Sequence, residues 1–197
     1  MNSSNIATTL WDLIQKLFSQ SEFDEIRLLL NGENIDLDAL SRLDSAIGGP
    51  SKDNISSDRS GRYELSDEDI FRPLQYCDMY ISRINDSTAE WLTRAIVHMS
   101  SLHIEGLIKR ISGTPKHPLG RALRALKVKQ TIEDTLLSQI NVYLPIYNSS
   151  KHDMNHPRDT HLFSTEAAML SYLVCRKFAI KLLPHISTKT DLRIFNE

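Results

Sequence analysis

The chain predicts an all-α protein, a four- to five-helix up-down bundle with extra helices at its N-terminus. Three observations predict it. Apolar residues recur at three- and four-residue spacing through most of the chain, and strand-like alternation is nearly absent. Serine, threonine and aspartate stand where helices would begin, with glycine or proline where they would end. Only seven glycines and seven prolines occur in 197 residues, too few for the turns of a sandwich or barrel.

The elements follow in order. Residues 6–19 carry Ile6, Leu10, Leu13, Ile14, Leu17 and Phe18 on one helical face. Ser21 is placed to cap a short helix through Leu30, closed by Asn31 and Gly32. Asp36 caps a third helix with Leu37, Leu40, Leu43 and Ile47, which Gly48, Gly49 and Pro50 break. Residues 1–50 thus form an N-terminal helical extension. The polar stretch 51–65 reads as a linker or mobile loop, residues 66–186 as the bundle core, and 187–197 as a tail.

Within the core, Ser66 and the acids after it form a start signal ahead of the stripe Ile70, Leu74, Cys77, Ile81 and Ile84. Proline is tolerated only in a first turn, so Pro73 moves the true start towards itself. Ser87 and Glu90 form a capping box for a helix carrying Leu92, Ile96, Met99, Leu102 and Leu107, ended by Gly113. After Pro118 a basic helix presents Leu119, Leu123 and Leu126. A helix restarting at Thr131 carries Ile132, Leu136, Leu137, Ile140 and Leu144, and Pro145 is expected to stop it. The last helix opens near Ser164 and runs through Ala167, Leu170, Leu173, Val174, Phe178 and Leu182 to Pro184.

Composition narrows the functional classes. A formal charge of −2 gives no global pull towards nucleic acid or anionic membrane, so such binding needs a local patch. Cys77 and Cys175 sit within apolar patterns and read as buried thiols in a reducing compartment. Asp12 and Lys16 interrupt any secretory signal, and no apolar run approaches the roughly 20 residues that span a bilayer. The expected location is the cytoplasm, with no membrane partner. Phosphate-loop, dinucleotide-binding and serine-hydrolase glycine motifs are all absent.

Chemistry concentrates between residues 148 and 161. Three of seven histidines fall there, His152, His156 and His161, among Lys151, Asp153, Arg158 and Asp159. Histidine titrates near neutrality and moves protons, while a neighbouring cation neutralises a phosphate oxygen. RNA cleavage needs little more, because the 2′-hydroxyl is an internal nucleophile. Lys151, His152, His156 and Arg158 are therefore the catalytic candidates. The same histidines match a zinc spacing only loosely: His-Glu-x-x-His is missing and Pro157 breaks the helix before the third ligand. No metal or cofactor is assigned, and a metal-dependent phosphohydrolase is the last of three readings.

Two further groups carry polar character. Arg121, Arg124 and Lys127 lie in a basic run and are candidate RNA contacts, though no aromatic is interleaved with them. Arg94, His98, Ser101 and Glu105 share one face of their helix and read as a solvated stripe with a Glu105–Lys109 pair, the alternative being an interhelical network. His103 reads as a core histidine.

A polar segment holding Lys151 and His152, just before a last helix containing Thr165 to Ala168 and Arg176 to Phe178, resembles the HEPN superfamily of small helical proteins. The segment from His103 to Arg110 is similar to such proteins as well. The likeness spans about residues 66–186. It implies a homodimer and, in many members, an Arg-x(4–6)-His pair that cleaves RNA without metal; other members serve as binding modules. Here no arginine stands at that spacing before His152, and position 151 before His156 is lysine, which lacks the planar fork that grips phosphate. The expected function is a non-catalytic HEPN-like module that binds a protein partner or RNA, with Trp11 and Phe18 as exposed anchors. A metal-independent ribonuclease is the alternative.

Overall fold

The last long helix, Thr165–Leu182, is enclosed by the rest of the chain. In the computed structural model the described residues are 3–53, 70–86, 90–152 and 163–186. They form helices α1 (Ser3–Leu17), α2 (Gln20–Leu29), α3 (Leu37–Ile47), α4 (Arg72–Ile81), α5 (Glu90–Ser112), α6 (Leu119–Lys129), α7 (Asp134–His152) and α8 (Thr165–Leu182), with a closing 3-10 turn Leu183–His185. Among the described residues no strand occurs. The all-helical class is as the periodicity predicts.

Burial on every side of α8 explains its composition. Residues 167–176 are all buried, as are Phe178 and Ala179, so those central turns have no polar face to give to water, and Glu166 and Lys181 reach it only near the two ends. It packs most extensively on α5, then on α1. One continuous core results, joining Ile6, Leu10 and Leu13 of α1 and Leu40 and Leu43 of α3 to α5, α7 and α8. Phe18 belongs to this core at 7% exposure, so it is not an exposed anchor. Trp11 is half-buried against it.

Local signals set most boundaries. Ser19, rather than Ser21, caps α2: its hydroxyl accepts from the Glu22 amide while Glu22 takes the Ser19 amide at 2.8 Å. Ser19 wins because only it has a glutamate three residues on, which closes the reciprocal box. Asp36 and Ser164 cap α3 and α8 as expected, and α4 starts beside Pro73 in its first turn. The start signals proposed at Ser66 and Ser87 lie outside the described residues.

Pro145 does not stop α7, which continues to His152. Tyr143, Ile146, Tyr147 and Ser150 form a buried stripe at helical spacing through the proline, and that packing outweighs the lost amide. The carbonyl left without its donor belongs to exposed Asn141, and Pro145 itself is exposed, so water can serve it. Lys151 and His152 are accordingly helical, not part of a loop.

The start of the expected linker is also not solvated. Ser51 and Lys52 are buried, because residues 48–53 close over the molecule's main buried charge. Arg176, 1% exposed, donates through Nε to Asp44 Oδ1 at 2.5 Å and through its two other nitrogens to the carbonyls of Pro50 and Gly48. Tyr172 donates to Asp44 Oδ2 at 2.7 Å, and its oxygen accepts from the Lys52 amide. Gly49, at φ 64°, allows this wrap: a Cβ there would meet Ile180 at 2.5 Å. Residues 54–65 lie outside the described residues.

Removing one partner of a buried, hydrogen-bonded ion pair leaves the other charge uncompensated, at a cost of roughly 3–5 kcal/mol. Asp44→Ala is expected to lose about that much stability in urea denaturation, and deletion of residues 1–50 to abolish the cooperative transition. A truncated chain melting like the full one would show that the N-terminal helices are dispensable.

Candidate functional site

The polar face of α5 is turned inward, not towards solvent. Ser101 and Glu105 are buried, and Arg94, His98, Ser101 and Glu105 meet Tyr143, Tyr147, Ser150 and Lys151 of α7. The interhelical network is therefore the correct reading, and the solvated stripe is not. The Glu105–Lys109 pair forms at 2.6 Å within it.

Glu105 is the hub. Its Oε2 accepts from Tyr147 Oη at 2.5 Å and from Lys151 Nζ at 2.6 Å, while Oε1 pairs with Lys109. Burial would raise its pKa, but the hydrogen bonds from Lys109, Lys151 and Tyr147 outweigh it and hold the carboxyl at about 2. Lys151 Nζ also lies 4.0 Å over the Tyr147 ring, a cation–π contact. Desolvation and the Glu105 charge together push the Tyr147 phenol well above its ordinary range.

Arg94 completes the other end. Its guanidinium donates to the carbonyls of Ser149 at 3.1 Å and Ser150 at 3.3 Å, supplying donors and positive charge where a helix C-terminus lacks them. Next to it, His98 Nδ1 lies 3.4 Å from Ser150 Oγ, and its ring is 5.9 Å from Tyr147. Burial, then the Lys151 charge, lowers the His98 pKa, so the imidazole is neutral near pH 7 and able to accept a proton.

The described residues on either side of 153–162 are fixed to one turn of α5. Arg94 holds Ser149 and Ser150, and Thr93 Oγ1 donates to Phe163 O at 2.7 Å. Of the predicted residues, Lys151 joins the cluster, His152 ends α7, and His156 and Arg158 lie outside the described residues. Arg121, Arg124 and Lys127 form a separate exposed stripe on α6. Sequence reasoning missed Tyr147 as the partner of Glu105. Its i, i+4 spacing from Tyr143 on a stripe running through Pro145 was the available signal.

His103 is a core histidine, as its neighbours suggest. It is 1% exposed with Nδ1 2.7 Å from Ile70 O, and burial drops its pKa to about 4. Cys77 and Cys175 are free and buried, and burial pushes the Cys175 thiol up to about 12. Among the described residues no three His, Cys, Asp or Glu side chains converge as a metal ligand set, and no helix there is long and apolar enough to cross a membrane.

Comparison with family models, curated proteins and solved structures finds no match to this chain. The reading of function therefore rests on its own residues.

Two acid-side transitions are expected to be separable by denaturation at stepped pH. His103 stays neutral in the fold while the unfolded chain takes up a proton, so stability falls as pH drops from about 6.5 towards about 4. Glu105 has a depressed folded pKa, so its contribution, full above about 4.5, is lost as pH falls towards about 2. Glu105→Gln should flatten only the lower window, and an unchanged profile there would remove Glu105 as the hub.

Proposed function

We propose that this chain is a non-catalytic, HEPN-like helical interaction module that binds RNA through the exposed face of α6, and that it acts as a cytoplasmic homodimer. One observation carries the reading: its cations divide into two classes. Lys151, the lysine the sequence offers as a phosphate contact, is paired with Glu105 and laid over Tyr147. Arg121, Arg124 and Lys127 are exposed, and among the described residues none has a carboxylate partner. At spacing i, i+3, i+6 they cover about a third of the helix circumference, a stripe suited to tracking a phosphate backbone.

A second reading, a metal-independent ribonuclease, is favoured by the meeting of Arg94, His98 and Lys151 at the end of α7, next to His152. It gives a neutral imidazole beside two cations. Its weakness is that both Arg94 and Lys151 are already engaged.

Fluorescence anisotropy with a labelled single-stranded RNA separates these readings. Binding is expected to weaken with salt, and the triple variant R121A/R124A/K127A to lose the part of the log–log slope due to three contacts, about 2. No cleavage of the RNA is expected. Full binding by the triple variant would remove the α6 surface and turn attention to a protein partner docking on exposed apolar groups such as Trp91 and Val128. Chelator-resistant cleavage lost in both His98→Ala and His152→Ala, at unchanged folding, would instead establish the ribonuclease.

A further inference from the structure

A cleft of about 470 Å³ opens between α1, α2 and the first turn of α8, away from the network between α5 and α7. Its apolar walls are Trp11 and Phe23, packed edge to face with centroids 5.5 Å apart, and Leu30. The volume suits a small molecule, and beside the aromatic walls stand four polar side chains, Gln15, Arg27, Asn31 and Glu166.

Its polar groups are unusual in one respect. Arg27 and Glu166 line the same cleft with opposite charges yet form no ion pair with each other. Arg27 is exposed, and its guanidinium stands 5.8 Å from the Phe23 ring centroid. Among the described residues it has no carboxylate partner, although Asp24 borders an adjoining smaller cleft and accepts from Gln20 instead. Glu166 spends one oxygen on Trp11, Oε1 accepting from the indole Nε1 at 2.8 Å. No described partner takes Oε2.

An acid alone would satisfy Arg27 but meet the Glu166 charge, and an amine alone would do the reverse. A ligand carrying both, on an aromatic body, answers all three features at once. We propose that this cleft binds a small zwitterionic aromatic ligand of the amino-acid class. Its carboxylate pairs with Arg27 through the planar fork, its ammonium donates to Glu166 Oε2, and its ring lies against Trp11 and Phe23.

The test uses Trp11 as the reporter. The chain has two tryptophans; Trp91 is 67% exposed and outside the cleft, so Trp91→Phe leaves Trp11 alone in an otherwise intact protein. Its fluorescence is titrated with L-phenylalanine, phenylacetate and phenethylamine, none of which absorbs at tryptophan excitation wavelengths. Saturable binding is expected for L-phenylalanine, weaker by about tenfold or more for the two single-charge probes. Arg27→Ala should weaken L-phenylalanine by a similar factor and leave phenethylamine unaffected. Glu166→Gln keeps an acceptor for the Trp11 indole and should weaken L-phenylalanine and phenethylamine alike. Absence of saturation with all three probes, equal affinity for zwitterion and acid, or undiminished binding in Arg27→Ala would each overturn the proposal.

Discussion

The fold depends on one buried charge. Arg176 lies on the helix that the rest of the chain encloses, so its guanidinium must find every partner inside the protein. It does so by gathering Asp44 from α3 and two backbone carbonyls from the turn after it. That demand draws residues 48–52 inward and locks the N-terminal helices onto the last one. Tyr172, one helical turn earlier, holds the second carboxylate oxygen and ties the Lys52 amide to the same centre. Segments more than 120 residues apart in sequence are thereby joined at one point.

A second polar network, between α5 and α7, is built differently. Glu105 and its partners lie at the edge of the core, with Lys151 and Lys109 partly exposed. One carboxylate serving two ammonium groups and a phenol leaves surplus positive charge, to which Arg94 adds at the end of α7. The arrangement ties the last described turn of α7, through Arg94, and Phe163 ahead of α8, through Thr93, to one turn of α5. The cations it holds are committed to structure, whereas Arg121, Arg124 and Lys127 of α6 are exposed and have no carboxylate partner among the described residues. This difference of engagement, more than the number of basic residues, separates scaffold from candidate binding surface.

Capping chemistry and periodicity made most elements legible. Asp36, Pro73, Gly113 and Ser164 mark their boundaries by local rules that need no tertiary partner. Legibility failed where packing overruled a local signal. Pro145 is a breaker by its own chemistry, but the stripe from Tyr143 to Ser150 carries the helix through it. Glu105 and Ser101 look like surface residues by type, and only the polar groups of α7 opposite them make burial affordable. Of the candidate site, Lys151 was legible as a cation near histidines, but its engagement by Glu105 was not, because the two stand 46 positions apart.

By itself the sequence determined the helical class, the apolar face of most helices and the caps that start and stop them, since these follow from interactions within a turn or two. Only the tertiary structure decided that the N-terminal helices share the core, that Arg176 has Asp44 for a partner, and which cations among the described residues lack a carboxylate partner. Pairing of charges across distant segments depends on desolvation and mutual geometry. Neither exists until the helices have packed.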